Sequence, residues 1–108
     1  MPAVPNAVVL VSTAPDAEVA GAVARGLVEA QLAACVNVVP GVRSIYRWQG
    51  EVHDDAELLL VIETTPALQA RCIAELERLH PYDVPEALAL PTHGGSQAYL
   101  AWIHEVTQ

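Results

Sequence analysis

CVNVVPGVRSIYRW, residues Cys35 to Trp48, and EVHDDAELLLVIET, residues Glu51 to Thr64, flank the dipeptide Gln49-Gly50, and together they decide the fold. Both segments are rich in β-branched and aromatic residues, the types that fit a pleated surface. Gln49-Gly50 supplies a tight turn between them, so they read as strands two and three of one long hairpin. Pro40-Gly41 cannot continue a central ladder and predicts a bulge or an edge position in strand two. Fourteen residues at about 3.3 Å each span roughly 46 Å. A globule of this chain length has a radius of gyration near 13 Å and is roughly 34 Å across. The hairpin therefore outgrows its own sheet and leaves a two-stranded ribbon, with Ile45, Tyr46 and Trp48, beyond the body of the domain. Such a ribbon is marginal in water, and its open edges invite pairing with another chain. Each ribbon is expected to extend a neighbour's sheet in a closed ring; three subunits is the expected number, and the geometry alone permits others.

Working outward, Ala7 to Thr13 is a near-continuous apolar run and reads as a central strand one. Asp16 follows Pro15 as a helix cap, and Val19, Val23 and Leu27 recur every four residues on the apolar side of a helix that fades near Ala30. After the hairpin, Thr65 caps and Pro66 opens a second helix with the stripe Leu68, Cys72, Leu76 and Leu79; Pro81 ends it at His80. Ala87 to Leu90 is a short fourth strand stopped by Pro91. Gly94-Gly95 leads to a last helix from about Ser96, with Tyr99, Trp102, Ile103 and Val106 on one side. The order β-α-β-β-α-β-α predicts an α+β, ferredoxin-like βαββαβ sandwich with an extra C-terminal helix. The expected strand order is four-one-three-two, with both main helices on one face.

Composition narrows the function. The chain has 108 residues, enough for one domain over 1–108. Its net charge is −8, its basic residues are all arginine, and it lacks Phe and Lys. Such a surface repels phosphate backbones and anionic lipid, which sets nucleic-acid and membrane binding aside. A mean hydropathy of +0.31 is more apolar surface than a small monomer easily hides, which again points to self-association. Met1 to Asn6 lacks a secretory pattern, and a cytoplasmic protein is expected. Cys35 and Cys72 form no CxxC pair and read as packing thiols. The loop Ser12 to Asp16 has neither the glycines nor the arginine of an acylphosphatase-type anion site, and no local Ser-His-Asp or Cys-His pattern is present, so a non-enzymatic protein is expected.

Several short stretches carry a family resemblance across residues 7 to 106. They are Thr13-Ala14-Pro15-Asp16, Leu32 to Asn37, Pro40-Gly41 with Ser44 to Trp48 and Gly50, Thr64-Thr65, His80-Pro81-Tyr82 with Val84-Pro85-Glu86, Leu90-Pro91, and Tyr99-Leu100 with Trp102. In this order and spacing the chain resembles the CutA, or divalent-cation tolerance, family. The resemblance implies a ferredoxin-like homotrimer joined by intersubunit sheet pairing, and a cytoplasmic role in the response to metal ions. It also implies a copper site built from a thiol at the end of strand one and two adjacent histidines before Pro-Tyr. Here those positions read Ser12 and Leu79-His80, so His80 is the one metal candidate carried over, for weak binding of copper or another divalent cation.

Other polar groups have ordinary readings. His80 also suits the C-terminal end of a helix. His53-Asp54-Asp55 with Glu57 could attract a hard cation, but with a two-residue turn Ile45 faces Asp54, and Arg43 and Arg47 lie diagonal to that carboxylate, which makes cross-strand pairing the simpler reading. Tyr46 and Trp48 suit an oligomer interface, with a ligand groove between subunits as the second reading. The alternative function is a trimeric small-molecule sensor or scaffold similar to PII-type signalling proteins, its ligand held in an intersubunit cleft.

Overall fold

The computed structural model describes residues 6–108, so the reading of Met1 to Asn6 lies, apart from Asn6, outside the described residues. Four strands and three helices follow the expected order: β1 (Val8–Ala14), α1 (Ala17–Glu29), β2 (Cys35–Trp48), β3 (Glu51–Thr64), α2 (Gln69–Leu79), β4 (Leu88–Pro91) and α3 (Gln97–Val106). They form an antiparallel sheet ordered β2-β3-β1-β4. This is the α+β, ferredoxin-like plan with its extra C-terminal helix. β1 pairs with β3 from Val8↔Thr64 to Ala14↔Leu58. Every second residue of β1, from Val8 through Leu10 and Ser12 to Ala14, is buried. With Leu60 and Ile62 of β3 these strands meet Ala20, Val23 and Leu27 of α1 and Cys72 and Leu76 of α2 in one core.

Local chemistry accounts for the element ends. The Asp16 carboxylate accepts from the Val19 amide at 2.8 Å and so holds one of the free donors at the start of α1. Gly26 lets the two main helices approach, since a Cβ there would lie 2.7 Å from Leu79 Cδ1. At the hairpin tip Gln49 and Gly50 have φ of 51° and 81°, the left-handed pair of a type I′ turn whose twist matches the strands. At the expected bulge Val39 pairs with Leu59 and Val42 with Glu57, so Pro40 and Gly41 together stand opposite Leu58 alone. The missing Pro40 N–H and the φ of 81° at Gly41 both suit that break.

Four details correct the sequence reading. β1 and β4 each lie one residue later than expected, and Pro91 closes β4 rather than stopping it, because β4 is an edge strand and a proline there costs no central ladder bond. Pro66–Leu68 is a turn of 3₁₀ helix before α2 proper. In α3 the buried residues are Leu100 and Ile103, packed on Ala7 and Ala34, whereas Tyr99 and Trp102 are exposed. Arg47 turns back to the Gly50 carbonyl at 3.4 Å instead of reaching Asp54; Arg43 alone makes the diagonal pair, with both guanidinium contacts to Asp54 at 2.6–2.8 Å.

The ribbon projects as its length requires. β1 covers β3 only from Leu58 onward, so residues 42–57 form a two-stranded arm. The described chain measures 52 × 25 × 23 Å, with Ile45 and Val52 each 64% exposed near the tip.

Candidate functional site

The end of α2, the end of β1 and the root of the arm meet at His80. Its backbone leaves the helix in an extended conformation, as Pro81 demands. The imidazole is buried. Nδ1 accepts from the Tyr82 amide at 3.2 Å, which leaves Nε2 to carry the proton and donate to the Thr13 carbonyl at 2.7 Å. The turn so formed sets Tyr82 against the arm, where its hydroxyl donates to Glu57 Oε2 at 2.8 Å. Pro81 to Glu86 then runs beside the cleft and leads into β4.

Between this segment and the arm is a cleft of about 730 Å³. Thr13 lies at its base, Tyr46 and Trp48 on the arm side, and Tyr82, Val84 and Glu86 opposite. Glu57 borders it from β3 and is only 8% exposed. Desolvation, then the bond to Glu57 and its charge, push the Tyr82 phenol well above the ordinary range. Desolvation followed by the Glu57 charge raises the Glu86 carboxyl. Tyr46 donates to Asp55 and stacks on His53 with ring centroids 5.2 Å apart.

The sequence-derived metal residues do not converge here. Ser12 is buried on the core face of β1, and its Oγ is the only buried side-chain polar atom without a partner among the described residues. Both ring nitrogens of His80 are engaged within the protein. The described residues contain no group of three or more His, Cys, Asp or Glu side chains able to hold a metal ion. A buried hydroxyl and one doubly hydrogen-bonded imidazole make a poor donor set for copper, which favours thiolate and free imidazole. Asp54 and Asp55 are taken up by Arg43 and Tyr46. Cys35 lies beside Glu63 and Tyr99, where burial chiefly raises its thiol, and Cys72 sits in the core; neither has the electropositive surroundings of a reactive cysteine.

The sequence reading named Tyr82 and Glu57 separately and missed their junction. The two are 25 residues apart, and only the closed turn at His80 joins them. The one local signal is Pro81 and Pro85, which bias His80 and Val84 toward extended backbone without indicating what the segment borders.

The family model for the CutA1 divalent ion tolerance protein matches residues 8–106. The chain is 52% identical over 99 residues to the divalent-cation tolerance protein CutA of Thermus thermophilus, covering 92% of this chain and 96% of that one. It is 43% identical over 96 residues to Protein CutA of Mus musculus, covering 89% of this chain but 54% of the mouse protein. The crystal structure of CutA from Xylella fastidiosa superposes with a TM-score of 0.92 at 39% identity, covering 94% of this chain and 98% of that one. With this match spanning the whole sheet, all three helices and the cleft, the chain belongs to the CutA1 divalent ion tolerance family.

Proposed function

We propose that the chain works as a non-enzymatic homotrimer in the tolerance of divalent cations, in the cytoplasm, without nucleic-acid or membrane partners. The projecting arm is the observation that carries the oligomeric part. Ile45 and Val52 of the arm, with Val39, Leu88 and Leu90 on the sheet, are all exposed in the protomer. Covering them is worth about 1.5–3 kcal/mol for each side chain fully buried. That is commensurate with the 4–15 kcal/mol or so that association costs in lost freedom. The sheet residues offer a second surface for the same neighbours. The metal part rests on the family. Weak binding of copper or another divalent cation at His80 requires a ring nitrogen to release its hydrogen bond, and a ligand from another subunit would complete the shell.

Native mass spectrometry of protein purified without an affinity tag tests both parts, since it reports subunit number and retained ions together. A trimer is expected. A monomer at micromolar concentration refutes the oligomeric part. Copper uptake that survives His80→Ala refutes the metal assignment. The cleft favours one second reading, a trimeric small-molecule sensor or scaffold of PII-like plan.

A further inference from the structure

Glu57 is more than nine-tenths buried, it borders an open cleft, and no positive charge among the described residues pairs with it. The ion pairs among the described residues are Arg25 with Glu29, Arg43 with Asp54 and Arg78 with Glu75. None involves Glu57. The cleft lining contains two further carboxylates, Asp83 and Glu86, and no arginine or histidine. A buried carboxylate without a counter-charge carries a desolvation penalty that a single phenol hydrogen bond offsets only in part. Three aromatic residues, Tyr46, Trp48 and Tyr82, are among those that line the cleft. Aromatic faces attract a cation and shed little of their own hydration in doing so. The cleft volume is that of a small-molecule site, and its charge excludes nucleotides and other phosphates.

We propose that the cleft between the arm and the Pro81–Glu86 segment binds a small organic cation, an ammonium or guanidinium compound, with Glu57 as counter-charge and Tyr46, Trp48 and Tyr82 as its aromatic wall. The proposal deepens the sensor reading given above by naming the ligand class. The raised Glu86 carboxyl agrees with an acidic cleft that lacks a cation. Binding would relieve the repulsion between Glu57 and Glu86 and fix the His80 to Glu86 turn against the arm.

Isothermal titration of the assembled protein with choline, agmatine and spermidine tests the proposal. The uncharged choline isostere 3,3-dimethylbutan-1-ol and ATP serve as controls. At least one of the three cations is expected to bind at millimolar concentration or below while neither control does. Glu57→Gln is expected to weaken that cation by about tenfold. Glu86→Gln, at an exposed position where folding is safe, should weaken it several-fold. The proposal is overturned if no cation binds, if the uncharged isostere binds equally well, if ATP binds in preference, or if both variants keep wild-type affinity. Native mass spectrometry on the same samples separates the two levels: an intact trimer that takes up no cation overturns this inference alone, whereas a wild-type monomer overturns the oligomeric reading beneath it. A trimer that binds no cation and falls apart on Glu57→Gln shows the cleft filled by a neighbouring subunit, which also overturns the proposal.

Discussion

His80 Nε2 lies 2.7 Å from the carbonyl oxygen of Thr13, across a sequence separation of 67 residues, while Nδ1 of the same ring receives the Tyr82 amide. One neutral imidazole thus fastens the last turn of α2 to the end of β1 and folds the next segment toward the arm. Its tautomer is fixed by the two partners, since a main-chain amide can only donate and a carbonyl can only accept.

Removing that ring leaves two main-chain groups without partners. His80→Ala should destabilise the protein by about 1–3 kcal/mol for each group that stays out of water. In urea denaturation the midpoint should fall with the slope unchanged. The Tyr82 hydroxyl should also lose its hold on Glu57, so the phenol should titrate closer to its ordinary range, which ultraviolet difference titration reads directly. Wild-type stability in the variant would mean that the imidazole is not the fastener described here.

Two buried hydroxyls make opposite forecasts. Thr64 donates to the Leu32 carbonyl at 2.6 Å, while Ser12 Oγ has no partner. Thr64→Val keeps the volume but deprives a buried carbonyl, at a cost of about 1–3 kcal/mol. Ser12→Ala removes an unpaired hydroxyl whose burial costs about 1–3 kcal/mol on mutational scales, set against a small void, so stability should hold or rise. Denaturant midpoints for the two variants decide the matter; a loss at Ser12 equal to that at Thr64 would mean that Ser12 has a partner after all.

The arm should separate assembly from folding. Ile45 and Val52 lie outside both core clusters and are the most exposed large residues near its tip. Replacing both with lysine puts charge on the surface offered to neighbours without touching the core, and edge lysines are the usual device against strand pairing. Sedimentation velocity should show a smaller species than wild type, with far-ultraviolet circular dichroism nearly unchanged. An assembly of wild-type size would place the contacts elsewhere.

Most of the fold was legible in the sequence because its signals are local. Asp16, Pro40-Gly41, Gln49-Gly50 and Thr65-Pro66 each set a backbone choice within a few residues, and the register of the hairpin, with Ile45 opposite Asp54, follows from the turn alone. The periodicity of α3 allows two adjacent apolar stripes, so the sequence alone does not select the buried one. Docking on Ala7 and Ala34, far away in sequence, selects Leu100 and Ile103 over Tyr99 and Trp102. The cleft was less legible still. Glu57 sits in the acidic run after His53, which reads as cross-strand charge pairing, and only the closure of His80 on Thr13 brings Tyr82 to it.

Alkali should weaken the protein from the core outward. Burial pushes the Cys72 thiol up from 9.0 to about 11, so the folded state keeps a proton that the unfolded chain gives up. The contribution is whole below pH 9 and is lost as pH rises toward 11, because over that window the unfolded state binds fewer protons. Cys35 is raised as well and acts in the same sense. Tyr99, pushed up to about 12 chiefly by its bond to Glu63, joins only above pH 10. Urea midpoints measured between pH 9 and 10 should therefore decline in the wild type and decline less in Cys72→Val, a near-volume-conserving change. Equal slopes in the two proteins would mean that Cys72 is open to solvent, and rapid modification of its thiol by iodoacetamide in the folded protein would show the same thing independently.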